Sequence, residues 1–123
     1  MTCIFCAIAS GEIPANRVAE DEVGVAFLDA KPKSPGHTLV VPFEHVSDLG
    51  DGSEVFVRMA PFVTRVAQQV VDKLGADGVN LVVNSGAIAG QEVFHLHVHV
   101  IPRYADPDAV PSSVDGVLEA LRA

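Results

Sequence analysis

Apolar residues along the chain change period several times, and each change marks an element. From Ser53 to Leu74 the residues Val55, Phe56, Met59, Phe62, Val63, Val66, Val70 and Leu74 recur at steps of three and four. That period predicts one long amphipathic helix, with Ser53 as its N-cap and Gly75 as its C′ residue. Pro61 lies inside the span and predicts either a kink there or a helix that begins near it. Runs of strand length occupy Arg17–Glu20, Val23–Leu28, His37–Val41, Val79–Val83 and Val93–Ile101. The first two flank the acidic turn Asp21-Glu22 and read as a hairpin, and Pro42 stops the third. Ala30 to Gly36 is a loop by its Pro and Gly content. Cys3 to Ser10, closed by Gly11, reads as one or two helical turns, and Ser113 to Arg122 as a terminal helix. Strands joined mostly by turns, with one long helix between the third and fourth, predict an α+β fold. Its frame is a five-stranded antiparallel sheet, and residues 1–123 form a single domain.

Composition narrows the classes of function. With 49% hydrophobic and 20% charged residues the chain can bury a core, which excludes wholesale disorder. The net charge is −8, and the basic residues Arg17, Lys31, Lys33, Arg58, Arg65, Lys73, Arg103 and Arg122 form no run. A nucleic-acid partner is therefore not expected, whereas a small anion needs only a few aimed donors. No stretch approaches the roughly 18 apolar residues of a membrane span, so no membrane partner is expected. Met1 to Arg17 lacks a basic start and its apolar part is broken by Gly11 and Glu12, so no secretory signal is read and a cytoplasmic location is expected.

The histidines carry the chemistry. His37 and His45 flank one predicted strand and its exit, while His95, His97 and His99 alternate along another. Alternation predicts three imidazoles on one face, spaced roughly 6.5 Å apart, with Leu96, Val98 and Val100 on the other. Such a row suits a shared transition metal, or one nucleophile at phosphorus with neighbours that steady the charge. The preceding loop, Ser85 to Gln91, holds Gly86 and Gly90, which allow backbone N–H groups to approach a phosphate. Cys3 and Cys6 form a Cys-x-x-Cys pair with no predicted strand before it, which argues against a thioredoxin-like redox site. A metal half-site and a pair of buried thiols both fit it.

Together these residues resemble the histidine-triad (HIT) family. His95-Leu96-His97-Val98-His99-Val100-Ile101 is similar to the family signature of three histidines alternating with apolar residues, and Ala89-Gly90-Gln91 with Val93 to the segment before it. Ile4-Phe5, Gly11-Glu12-Ile13-Pro14, Phe27-Leu28-Asp29, Pro35 to Pro42 and Asn84-Ser85-Gly86 follow family order, so the resemblance covers about residues 3 to 103. It is strongest to the Hint-type and bacterial branch.

The resemblance implies a homodimer that binds a purine nucleotide of the AMP type. It also implies cleavage of AMP-linked conjugates, of the nucleoside phosphoramidate type, at the α-phosphate through a nucleotidyl-histidine. On that basis His97 is the nucleophile, His99 meets the α-phosphate and leaving group, and His37 joins the relay behind them. Asp29 would hold the ribose hydroxyls. Asn84 and the backbone of Gly90, Gln91, Glu92 and Val93 would frame the phosphate. Ile4, Phe5, Ile8, Phe27 and Leu28 would form the base slot, positions that ordinary core packing fills equally well. Glu92 stands where better-known members carry a hydroxyl residue, which changes the leaving-group contact.

A structural zinc ion is implied at Cys3, Cys6, His45 and His95, a closed site with no open coordination position. Without zinc, His95 is free for the catalytic relay. Other readings are a Fhit-type dinucleoside polyphosphate hydrolase, which Ile101-Pro102-Arg103 suits, a three-histidine catalytic metal, and a nucleotide-binding partner module with vestigial catalysis.

Overall fold

The computed structural model describes residues 3–123. Strands β1 (Arg17–Glu20), β2 (Gly24–Leu28), β3 (Thr38–Pro42), β4 (Gly78–Val82) and β5 (Val98–Arg103) form one antiparallel sheet in the order β1-β2-β3-β5-β4. Three helices accompany it: α1 (Ile4–Ser10), α2 (Leu49–Leu74) between β3 and β4, and α3 (Val114–Arg122). This is the α+β arrangement that the periodicity predicts.

Because successive strand residues face opposite ways, the sheet is apolar on both sides. Ala26, Val40, Val98 and Val100 pack with Val55, Met59, Phe62, Val66 and Val70 of α2 and Leu121 of α3. On the other side Val25, Phe27, Leu39 and Val41 pack with Phe5 and Ile8 of α1. Every residue of β3 is buried, because it lies mid-sheet between the two layers.

Several boundaries differ from the predicted ones. Helix α2 begins at Leu49, with Asp48 rather than Ser53 as N-cap and Asp51 completing a capping box. The first turn carries no apolar stripe, so periodicity misses it. The irregularity falls at Gly52 (φ −111°, ψ 19°) and not at Pro61, which sits on the exposed side where its missing N–H harms nothing buried. Strand β2 starts after Val23, because the Asp21 carboxylate accepts from the N–H groups of Val23 and Gly24 at 2.7 and 3.2 Å. Strand β3 excludes His37 and includes Pro42, which lies opposite Gly24 at the end of the ladder.

The largest difference is in β5. Residues 93–97 are outside the sheet, since the ladder with β3 ends at the Val40–Val98 pair and the Leu96 N–H instead donates to the Val46 carbonyl at 2.8 Å. The terminal elements follow the sequence closely. Cys3 caps α1, Gly11 ends it in the left-handed conformation (φ 88°), and Ser113 caps α3. Among the described residues no helix is long and apolar enough to cross a membrane.

Candidate active site

Although residues 95–97 leave the ladder, the alternation of side chains persists through them. Leu96 and Val98 enter the core under α2, while His95 and His97, both buried, turn to the α1 side beside Phe5. The Phe5 ring meets His97 edge-on at 5.0 Å and His95 at 6.1 Å, and the rings of His97 and His99 lie 5.0 Å apart. The predicted row of imidazoles exists, but its members face different partners.

Those partners assign each proton. The backbone N–H of Lys33 donates to Nδ1 of His37 at 3.0 Å, so the His37 proton sits on Nε2. From there it is given to Nδ1 of His99, also at 3.0 Å, which leaves the N–H of His99 on Nε2. His97 donates from Nδ1 to the His95 carbonyl at 2.8 Å, so its Nε2 carries a bare lone pair. That Nε2 has no hydrogen-bond partner among the described residues and is not sealed from solvent. His95 donates from Nε2 to the Pro42 carbonyl at 2.8 Å, which frees its Nδ1.

The electrostatics agree with neutral rings. Burial, then the neighbouring His97 and His37, pushes His99 down to about 4. Burial is also the largest cause of the downward shifts of His37 and His97. Near pH 7 the site therefore holds neutral imidazoles, one with an unshared nucleophilic nitrogen and one with an N–H to offer.

The freed Nδ1 of His95 lies within a second constellation. It is 3.4 Å from the sulfurs of both Cys3 and Cys6, and 3.1 Å from Nδ1 of His45, which in turn is 3.3 Å from the Cys6 sulfur. A tetrahedral ion with bonds of about 2.3 Å to sulfur and 2.0–2.1 Å to nitrogen requires donors roughly 3.3 to 3.8 Å apart. At 3.1 to 3.4 Å these distances lie at or just under that range and all four donor atoms fall within 4.8 Å of one another, so the four can close on one ion. The Pro42 carbonyl supplies the outer hydrogen bond that orients a ligating histidine. Burial and the Cys3 sulfur raise the Cys6 thiol, so a metal entering here displaces protons. Asp29, His37 and His99 also cluster. They make a poor metal site, since Nδ1 of His37 is taken by Lys33 and its Nε2 bears the proton.

The remaining predicted residues divide. Asp29, at the end of β2, is fixed by Lys31 N–H on one oxygen at 2.9 Å and faces His37 with the other at 3.5 Å, its side chain half-buried. Phe5, Ile8 and Phe27 share one cluster with Val93 against it, and Ile4 is half exposed beside them. Leu28 is not part of that slot: it follows Phe27 in a strand, so it points to the opposite face and packs under α2 and α3. Asn84 stands by Gly90, whose Cβ, if built, would come 3.8 Å from the Asn84 amide nitrogen. Gly86 and Gly90 have φ of 98° and 95°, which only glycine adopts without strain. Glu92 is exposed. Gln91 is buried with its side chain turned away from the loop surface. The Lys33 N–H and Pro42 carbonyl that set the tautomers are backbone groups, and no residue type announces them.

The HIT domain family profile matches residues 10–106. An uncharacterized HIT-like protein of Methanocaldococcus jannaschii is 49% identical over 83% of this chain and 79% of its own length. Adenylylsulfatase HINT3 of Arabidopsis thaliana is 40% identical over 82% of this chain, which spans 52% of that longer protein. The crystal structure of a zinc-bound histidine triad family protein from Mycobacterium smegmatis superposes with a TM-score of 0.84 at 39% identity, covering 99% of this chain and 91% of the other.

Proposed function

The chain belongs to the HIT domain family, and on that premise we propose that it is a hydrolase acting at the α-phosphate of AMP-linked conjugates, of the nucleoside phosphoramidate type. The observation that carries this reading is the proton assignment, which leaves Nε2 of His97 as an unshared lone pair beside the Nε2–H of His99. In the first step Nε2 of His97 attacks the α-phosphorus, forming an N–P bond as the bond to the leaving group breaks. His99 donates a hydrogen bond to the oxygen or nitrogen where charge develops. A departing amine takes its proton from water, and the hydroxide so formed then adds to phosphorus and cleaves the N–P bond, releasing AMP and restoring neutral His97.

Asp29 would hold the ribose, with Ile4, Phe5, Ile8 and Phe27 against the base and Asn84 with the Gly90–Val93 backbone around the phosphate. The Arabidopsis relative, by its name, acts on an adenylyl conjugate of sulfate, which supports the same bond and another leaving group. Relative turnover of adenosine phosphoramidate, adenylyl sulfate and diadenosine polyphosphates separates these substrates and the Fhit-type alternative.

The ion suited to the four-donor site is zinc, supported by the two-thiolate, two-imidazole set and by the zinc-bound Mycobacterium smegmatis structure. Held by Cys3, Cys6, His45 and His95, it would tie the N-terminus to the histidine segment and contribute to folding energy. The decisive experiment is a rapid quench with adenosine phosphoramidate followed by mass spectrometry. An adenylylated peptide containing His97 is expected, and its absence at full turnover would overturn the covalent route.

A further inference from the structure

Two segments must meet at one phosphate in the reaction proposed above: the loop 86–90, whose Gly90 end stands beside Asn84, and the segment 93–97, which carries His97. Neither is held by the sheet. What joins them is the side chain of Gln91, only 4% exposed. Its Oε1 accepts from the Gly86 N–H at 2.8 Å. Its Nε2 donates to the Ser47 carbonyl at 2.7 Å and to the Val93 carbonyl at 3.1 Å. These partners belong to the loop, to the entry of α2, and to the start of the histidine segment.

The α2 entry is itself fixed. The Ser47 N–H donates to the Asp51 carboxylate at 3.0 Å, and Ser85 at the head of the loop accepts from the Leu49 N–H at 3.1 Å. Both amide hydrogens and the amide oxygen of Gln91 are thus spent on backbone, so the side chain has no donor left for a ligand. We propose that Gln91 is a positioning residue, whose amide sets the distance between the phosphate loop and the nucleophile. This inference rests on the hydrolase reading for its kinetic consequence and on geometry alone for its structural one.

An amide is the side chain that the site demands. A carboxylate of the same shape still accepts from Gly86 but faces two carbonyl oxygens with a third acceptor, and an apolar chain leaves three backbone groups unpaired. Misplacement of a reacting group by about 1 Å costs roughly 10²-fold in rate. The ground-state affinity for AMP depends less on that alignment, since it does not require in-line attack.

The test uses Gln91→Glu and, should that variant fold poorly, Gln91→Asn, which keeps the amide but falls one methylene short. Turnover of adenosine phosphoramidate, AMP affinity and amide hydrogen exchange are measured on each. The expected result is a fall in kcat of about 10²-fold with AMP affinity within about threefold. Exchange should quicken together in residues 86–90 and 93–97 and stay unchanged in α3. A kcat within about threefold of the parent, or a rise in KM alone, would overturn the proposal, the second result marking Gln91 as a direct ligand contact. Faster exchange in one segment only would also overturn it. If the parent protein turns over no such conjugate, the hydrolase reading fails, and the exchange measurement still decides whether Gln91 couples the two segments.

Discussion

The bond from His97 Nδ1 to the His95 carbonyl costs the ring one nitrogen and leaves the other with its lone pair, and that division holds only while the imidazole is neutral. Burial keeps it so. His97→Ala should therefore reduce turnover by on the order of 10⁴-fold while AMP affinity changes a few-fold, as single-turnover kinetics and calorimetry would report. The pH dependence follows from the same shifts. Protonation of His97 removes the nucleophile, and its affinity for a proton is lowered, so kcat/KM should stay level as pH falls from 8 through 6.5. The decline should come in more acid solution, where His97, whose proton affinity burial lowers, and His99, at about 4, take up protons. Stability falls in the same direction. In the unfolded chain these imidazoles protonate near 6.5 and in the folded one lower, so the contribution is fully present above 6.5 and lost as pH falls towards 4. The melting temperature should drop across that window, and a flat profile would contradict the buried neutral rings.

Helix α1 is seven residues long, too short to persist alone, and is held by Phe5 and Ile8 in the core and by its two cysteines beside His45 and His95. On the zinc reading proposed above, chelation, like Cys3→Ser with Cys6→Ser, should speed amide exchange in residues 3–10. Because Ile4 and Phe5 belong to the same element, nucleotide affinity should weaken more than bond cleavage slows. Helix α2 acts on the site from the other face. At Gly52 it comes so close that an added Cβ would lie 2.5 Å from Val46 Cγ2 and 3.2 Å from Leu96 Cδ2. Leu96 separates His95 from His97, so Gly52→Ala should cost about 1–3 kcal/mol of stability and lower activity as well. Denaturant melts with kcat measurements check both.

At the scale of the molecule, β4 is the outer strand of the sheet beside β5, with Leu81 49% and Val82 37% exposed, and Val57 on α2 is 70% exposed. An edge strand with apolar residues invites pairing, and a two-fold axis would cover it twice at once. We propose that the protein is a homodimer through this edge. Sedimentation at micromolar concentration should show a dimer, and Leu81→Lys should shift it towards monomer.

The order of elements, the long helix and the presence of a histidine site were all legible in the sequence, because period and residue type act over neighbouring positions. The alternation of His95, His97 and His99 against Leu96, Val98 and Val100 told which face was core, and Cys3-x-x-Cys6 marked the N-terminus for chemistry. The start of α2 at Leu49, capped by Asp48, was not legible, since a capping box of two aspartates precedes any apolar stripe. Nor was the end of the β3–β5 ladder at Val98, which depends on where the facing strand stops. Leu28 lies on the face opposite Phe27, as strand alternation requires of neighbours, and what only the fold decided is which of the two faces α1 covers. Above all, the distinct proton placements on three identical imidazoles were decided by the Lys33 N–H and the carbonyls of Pro42 and His95. Every residue but proline carries both of those groups, so only the fold, by bringing particular ones within hydrogen-bond reach, could say which ring nitrogen keeps its lone pair.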